Sequence, residues 1–380
     1  MSDIRRLTEV EQLKFAILEH GVTVTDSARD FLNASTGGAA WTPADYASTS
    51  GLILALDGDV WVNAPIADYN PNFVAEPAYK LDVVDHHLAV LTKSLNVATQ
   101  FWLPPAYHGT ENDFGPLNRF AITHGDRVRL APVRGCAMSC KFCDIPYERG
   151  EKYGIKPIPA MLEALRVALS DPVQPARHVL ISGGTPRPGD HEFLREVYRK
   201  VLSAFPDFPV DIMMVPVPGL LDIEELKELG VNELSINIEV VDDTIAKRLM
   251  PQKYLQGIET YLNFIERASH ILGPMRVRSM VMVGLEPLER TMWGVQEITN
   301  RGGLPVLSPF RPDPSTPLAD MSPPSESLMS EAYAGAREIV EASGVGLAPF
   351  CPPCTHNTLS FGHDRLTTTP AYLHSKPRLV

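Results

Sequence analysis

The sequence predicts an α/β chain: a partial (βα)6 TIM-like barrel, preceded by an α+β domain and followed by a cysteine-containing C-terminal extension. Three observations carry that expectation. From residue 127 onward, short β-rich runs alternate with helical stretches, the rhythm of a parallel sheet with right-handed crossovers. The chain has 380 residues, too long for one small domain and suited to a barrel of ~200–250 residues plus an appendage. Its five cysteines fall into two tight groups, Cys136, Cys140 and Cys143, then Cys351 and Cys354.

The elements follow in order. Thr8 with Glu11 makes a capping box, and Leu7, Val10, Leu13 and Ile17 recur at helical spacing up to Gly21. A second capped helix begins near Thr25. Residues 52–56 and 60–63 flank Asp57-Gly58-Asp59, a hairpin signal. A third helix is expected over 85–95, and the Pro- and Gly-rich stretch 103–115 reads as a linker or loop. Residues 1–125 thus read as an α+β domain with no chemical motif; His86 and His87 read as surface or packing residues. The barrel is expected over 126–320, with strands at 127–133, 178–182, 210–215, 233–239, 276–283 and 305–308. Helices are expected at 159–170, 191–204, 223–229, 254–272, 291–300 and 326–342, and residues 345–350 are a candidate seventh strand. Residues 321–380 read as a C-terminal helix and a Cys-Pro-Pro-Cys extension.

Bulk composition limits the partners. Hydrophobic residues at 44% and charged residues at 21% suit a folded chain that needs no disulfide staples. The 34 Lys and Arg against 46 Asp and Glu leave a net charge of -12, which would repel nucleic acid or an acidic membrane. No apolar run approaches the ~18–20 residues that span a bilayer, and the start is polar, so a cytoplasmic location is expected. A small molecule is therefore the expected substrate class. Clustered cysteines read as metal ligation or redox chemistry, not as a disulfide framework.

The unusual residues fall just after the expected strands. They are the three cysteines, then Gly183-Gly184-Thr185-Pro186, Pro216 and Pro218, Asn237 and Glu239, Gly284 and Glu286, Pro309-Phe310-Arg311, and finally Cys351 to Cys354. In βα barrels that rim is where active sites are built. Three thiolates spaced four and then three apart on one loop can hold an iron–sulfur cluster with one iron lacking a protein ligand. Zinc is the competing reading, weakened because the next histidine, His178, starts a strand at the far end of the barrel.

The run Cys136-Ala137-Met138-Ser139-Cys140-Lys141-Phe142-Cys143 resembles the C-x3-C-x2-C motif of the radical S-adenosylmethionine (SAM) superfamily. Gly183-Gly184-Thr185-Pro186 resembles that superfamily's Gly-Gly-Glu motif, with Thr185 where Glu is frequent. The resemblance covers roughly residues 125–320. It implies that Cys136, Cys140 and Cys143 ligate a [4Fe–4S] cluster whose fourth iron takes SAM. It further implies that Phe142 packs near the adenine and that Gly183, Gly184 and Thr185 approach the methionyl amine. Asn237 and Glu239 become candidates for the ribose or carboxylate, and Gly284 and Glu286 for the adenine side. Arg278 could hold the SAM carboxylate, a substrate acid or merely Glu239, since a buried arginine needs a partner. The plainer alternatives are that Glu239 and Glu286 cap helices or pair with Arg248 or Arg290, and that Asp190 and His191 only start a helix. The stretch 311–318 resembles a segment of biotin-synthase-like members, with Ser315 in place of the usual Gly.

The activity implied is one-electron cleavage of SAM, fed by a flavodoxin- or ferredoxin-type donor, to a 5′-deoxyadenosyl radical that takes hydrogen from substrate. Two alternatives stay open: transfer of the aminocarboxypropyl group of SAM, and a non-enzymatic metal or electron-transfer protein. Cys351 and Cys354 have three readings. They could hold a second metal site with His356 or His363, act as catalytic redox thiols or hydrogen-atom donors, or do nothing chemical.

Overall fold

The computed structural model describes residues 6–36, 51–57, 59–70, 79–147, 152–364 and 377–380. Thr8 caps α1 (Glu9–His20): its side chain accepts from Glu11 N while the Glu11 carboxylate accepts from Thr8 N at 2.8 Å. After β1 (Val22–Val24), Thr25 caps α2 (Asp26–Ser35) through Ala28 N. Strands β2 (Gly51–Leu56), β3 (Val60–Pro65), β4 (Tyr79–Val84), β5 (His87–Leu91) and β6 (Asn96–Phe101) join β1 in one sheet, ordered β1-β4-β5-β6-β2-β3. The helix expected over 85–95 is instead a hairpin. Asp85 and His86 take φ of 48° and 68°, a left-handed turn that folds β5 back on β4. The misreading arose because Val83, Val84, Leu88, Val90 and Leu91 fit both periods in so short a window, and their β-branched content decides for strand. A ribbon of β7 (Glu111–Asn112) and β8 (Gly115–Pro116) lies within the stretch expected to be a linker.

The second sheet begins with β9 (Ala121–His124), antiparallel to β10 (Arg127–Leu130). A short ribbon of β11 (Val133–Arg134) and β12 (Gly154–Ile155) brackets the loop that carries the first three cysteines. Then α3 (Ile158–Leu169), β13 (His178–Ile181), α4 (His191–Ala204), β14 (Val210–Met213), α5 (Ile223–Glu228) and β15 (Glu233–Ser235) alternate. Next come α6 (Asp243–Leu249), α7 (Pro251–Gln256), α8 (Ile258–Leu272), β16 (Val277–Val283), α9 (Leu288–Asn300), β17 (Leu304–Pro309) and α10 (Glu326–Ser343). Among the described residues the order is β17-β16-β15-β14-β13-β10-β9, parallel from β10 to β17. The fold is therefore mixed α/β, a partial (βα)6 barrel with a cysteine-containing C-terminal region.

Three details differ from the expectation and each bears on a site. The strand expected over 233–239 ends at Ser235, and Glu239 rejoins the sheet only by a bridge to Val281, at φ 64°. The helix expected over 254–272 is broken at Gly257, whose φ is 82°. Residues 345–350 form no strand. Ala348 N donates to Pro305 O, and Leu359 N to Leu307 O, so the extension lies along the open edge of β17 by isolated bonds. Pro349, Pro352 and Pro353 lack the donors that a ladder would need. The chain's last residues return to the first sheet, where Val380 and Phe101 exchange backbone hydrogen bonds.

Candidate active site

Backbone geometry places the first three cysteines beside the Gly-Gly turn. Gly135, at φ 65°, turns the chain out of β11, and Cys136 follows at once. Thr185 N donates to Cys136 Sγ at 3.1 Å, and Ala137 N donates to Thr185 O at 2.9 Å. Met138 N donates to the same Cys136 sulfur at 3.3 Å. Gly184 explains how the two segments come so close. A Cβ built there would meet Gly135 O at 1.7 Å and Cys136 Cα at 3.0 Å, so the approach requires glycine. From the other side, Lys141 N donates to Leu249 O at 2.8 Å, Ser139 N to Gln252 Oε1 at 3.2 Å, and Tyr147 OH to Ser139 O at 3.2 Å.

The donor set, three thiols on one loop with Cys136 Sγ accepting from Thr185 N and Met138 N, is of the soft kind that holds an iron–sulfur cluster. Burial, with Glu239 adding repulsion, pushes the Cys140 thiol up to about 12, and burial with Asp144 pushes Cys143 up as well. Thiols so buried become ligands only when a metal displaces their protons. Phe142, partly buried, packs against the core.

Glu239 lies close enough to Cys140 to shift it, and its carboxylate takes Lys253 Nζ at 2.8 Å. Lys253 also donates to Asn237 O at 3.1 Å. The Asn237 side chain is occupied locally, its Oδ1 accepting from Ser235 Oγ and from Met280 N. Glu286 is likewise engaged. Its Oε2 accepts from Val241 N and Asp242 N at 2.9 and 2.7 Å, holding the loop that leads into α6. Burial raises the Glu286 carboxyl. Gly284, at φ 100°, lies under Pro324 in the segment before α10, where a Cβ would come within 3.0 Å. Asp190 precedes α4, which opens on His191.

Two placements from the sequence are corrected. Arg278 is the second residue of β16, at the opening end of the strand, and pairs with Glu233 and with Asp211 at 3.7 Å. It faces the N-terminal mouth of the barrel, so neither Glu239 nor a cofactor at the rim is its partner. Cys351 and Cys354 also lie away from the rim. Cys351 Sγ donates to Asp126 Oδ1 at 2.8 Å, and Cys354 Sγ lies 3.5 Å from His178 Nε2. Asp126 precedes β10 and His178 opens β13, so the pair sits at the N-terminal mouth. The cause is the absent seventh strand: Ala348 N meets Pro305 O near the start of β17, and the prolines that follow turn the chain there instead of carrying it across to the rim. Burial opposes ionisation of Cys354, yet the Cys351 thiol, Arg127 and His178 bring it down to about 6. The expected partners are engaged elsewhere: His363 with Glu11 and Tyr333, and His356 Nδ1 with Pro353 O.

Sequence reasoning missed several residues. Lys253 is one, visible in the sequence only as a lysine in a helix. Arg311 is another: it was placed at the rim but given no chemistry. It is 6% exposed, and among the described residues its Nε and Nη1 have no partner. Burial lowers its pKa to about 9. His356 Nε2 and Asn70 Oδ1, also buried, have no partner among the described residues either, and Asn70 Nδ2 donates to the carbonyl of Pro312 beside Arg311. No helix among the described residues is long and apolar enough to cross a membrane.

Comparison with known proteins bears on the same region. Residues 130–291 match the profile described as the Radical SAM superfamily. Over 121 residues the chain is 28% identical to bacteriochlorophyllide c C-7(1)-hydroxylase of Chlorobaculum limnaeum, covering 31% of this chain and 30% of that protein. The chain thus spans less than a third of the length of that curated relative. Among solved structures it is similar to HydG, a maturase of the [FeFe]-hydrogenase, at 13% identity over 58% of this chain and 51% of that one, with a TM-score of 0.48. HydG from Carboxydothermus hydrogenoformans gives 15% identity over 62% and 57%, with a TM-score of 0.45. A radical SAM methyltransferase from Sphaerobacter thermophilus gives 14% over 70% and 74%, with a TM-score of 0.44.

Proposed function

Through the domain at residues 130–291 this chain belongs to the radical SAM superfamily, and we propose that it is an enzyme whose Cys136, Cys140 and Cys143 hold a [4Fe–4S] cluster with SAM. When bound, that pair supplies a one-electron cleavage of SAM to a 5′-deoxyadenosyl radical able to take hydrogen from a small-molecule substrate. The observation that carries the reading is the interlock of the Gly-Gly turn with the cysteine loop, sealed by Gly184 against Gly135 and by Thr185 N on Cys136 Sγ.

The chain's own groups have separable tasks in this reading. Gly183 and Gly184 offer backbone polar groups to the methionyl end without a side chain in the way. Thr185 contributes its main chain, already committed to Cys136 and Ala137, so a Glu at that position is not required. Lys253 neutralises Glu239 beside the cysteine loop and ties it to the strand end at Asn237. Phe142, Asn237 and Gly284 shape the wall, and Glu286 fixes the loop from which α6 starts. Cys351 and Cys354, at the other mouth, take no direct part.

The unpartnered Arg311 supports a substrate that carries an acidic group. A buried guanidinium is costly without an anion, and the described residues supply none at its Nε and Nη1. A small molecule bearing a carboxylate or phosphate would meet it bidentately. The electron would come from a flavodoxin- or ferredoxin-type donor. The test is anaerobic: reconstitute with iron and sulfide, add dithionite and SAM, and identify the SAM-derived product. 5′-Deoxyadenosine supports the reading, an aminocarboxypropyl product redirects it, and an undiminished yield from Cys140→Ala refutes it.

A further inference from the structure

At the mouth opposite the cysteine loop, four buried side chains converge. Asp126, His178, Cys351 and Cys354 each bring one ligand atom into a group spanning no more than 4.8 Å. His178 Nε2 lies 3.3 Å from Asp126 Oδ1 and 3.5 Å from Cys354 Sγ, and Cys354 Sγ lies 3.7 Å from Asp126 Oδ1. We propose that these four residues form a structural zinc site, Cys351 Sγ, Cys354 Sγ, His178 Nε2 and Asp126 Oδ1, which fastens the C-terminal extension across the base of the barrel.

The distances make the case. Zinc bonds of ~2.3 Å to sulfur and ~2.0–2.2 Å to nitrogen or oxygen, held tetrahedrally, put sulfur about 3.5 Å from a nitrogen or oxygen ligand and nitrogen about 3.4 Å from oxygen. The three edges just given, 3.3, 3.5 and 3.7 Å, are those of such a tetrahedron. The fourth contact, Cys351 Sγ to Asp126 Oδ1, is a hydrogen bond of 2.8 Å that must open as the ion enters and the thiol loses its proton. Two thiolates, an imidazole and a carboxylate are a borderline-soft set that suits zinc better than magnesium or calcium. Four protein ligands close the shell, which is the mark of a structural site and not a catalytic one.

The surroundings are arranged for a ligand. Asp211 Oδ2 lies 3.8 Å from His178 Nδ1, on the ring's other side, where a carboxylate orients a ligating imidazole. Asp211 is itself held by Asn232 Nδ2 at 2.6 Å and by Arg278. The Cys-Pro-Pro-Cys turn is closed by Cys354 N on Cys351 O at 3.1 Å, which brings both sulfurs to one side. The extension meets the rest of the chain here in other ways too. Lys14 Nζ donates to Thr355 O and Ser360 O, and Asn63 Nδ2 donates to Asn357 Oδ1. An ion at this point would join the segment before β10, the start of β13 and the extension in one knot.

The site does not depend on the radical SAM reading, and its test reads a different metal. The full chain is isolated anaerobically, its cluster reconstituted, then supplied with zinc chloride and desalted. Mass spectrometry of the metals should give one zinc per chain in addition to iron. Zinc K-edge absorption should show two sulfur and two nitrogen or oxygen neighbours. The Cys351→Ser/Cys354→Ser variant should lose the zinc and keep its iron. If that variant does not fold, the absorption spectrum of the wild type decides. A chain that retains no zinc, a zinc shell without sulfur, zinc kept by the double variant, or a Cys351–Cys354 disulfide in the anaerobically isolated protein would each overturn the assignment.

Discussion

Replacing Gly184 by alanine should cripple SAM cleavage while leaving the barrel folded. The new Cβ would stand 1.7 Å from Gly135 O and 2.8 Å from Gly135 C, both backbone atoms that cannot rotate aside. Contacts under 3.0 Å do not persist, so the cysteine loop must retreat by about 1.3 Å from the Gly-Gly turn. A shift of ~1 Å at a reacting centre costs on the order of 100-fold in rate. The overpacking itself costs about 1–3 kcal/mol, which a domain of this size survives. Gly183→Ala probes a different penalty. Its nearest neighbour, Ala131 Cβ, stands at 3.4 Å, so there is room, and the penalty is instead the φ of 130°. That strain is worth about 1–3 kcal/mol without displacing the cysteines. The assay is 5′-deoxyadenosine formed per iron–sulfur cluster under dithionite, with urea unfolding run beside it. If Gly184→Ala makes deoxyadenosine at the wild-type rate with a full complement of iron, the interlock is not what aligns the site.

Other consequences follow from single groups. Glu239→Gln strands the buried Lys253 ammonium, so urea denaturation should show a loss of about 3–5 kcal/mol, and a loss under 1 kcal/mol would mean the pair is solvated. Arg311→Met removes a buried guanidinium that has no counter-charge among the described residues, so the same titration should show a more stable protein by a few kcal/mol, together with loss of substrate-dependent turnover; a less stable protein would reveal a further partner. Lys14 is buried and its pKa falls to about 7, chiefly by desolvation. Its folded pKa lies below its unfolded value, so the unfolded chain binds more protons between about pH 7 and 10.4. Relative to Lys14→Met, wild-type stability should therefore climb by up to about 1.4 kcal/mol per pH unit in that window, and a flat difference would contradict the burial.

What was legible in the sequence is what depends on local pattern. The capping box at Thr8, the N-cap at Thr25, the hairpin across Asp57 and the six parallel strands all follow from spacing within a few residues. So did the position of the three-cysteine loop, because a loop carries its own spacing. The failures are where a long-range partner decides. Residues 345–350 have the composition of a strand, but the prolines and the edge of β17 turn them into a strap. Arg278 could be assigned a need for a carboxylate but not the right one, since Asp211 and Glu233 reach it only through strand register. Asp126 and His178 lie 52 residues apart, and Cys351 lies 225 residues beyond Asp126, a convergence no local pattern encodes.

The strand direction explains why the two cysteine groups have different work. His178 opens β13 and Gly183 stands two residues past its end. Five residues of extended chain at ~3.3 Å each separate the two mouths by about 16 Å. A thiol at the base cannot give a hydrogen atom across that span, because such transfer needs contact. The base offers a closed set of charges in return, with Arg278 between Asp211 and Glu233 and the imidazole between two carboxylates. The rim holds the three-cysteine loop and, among the described residues, an Arg311 guanidinium whose Nε and Nη1 have no partner. Paired buried charges rigidify the elements that carry them. On that ground the base, with the proposed zinc, braces the barrel, and the rim is the side left for substrate in the proposed function. Tightening the base should then raise the temperature at which the C-terminal extension detaches, and limited proteolysis between residues 345 and 364 with and without zinc measures it.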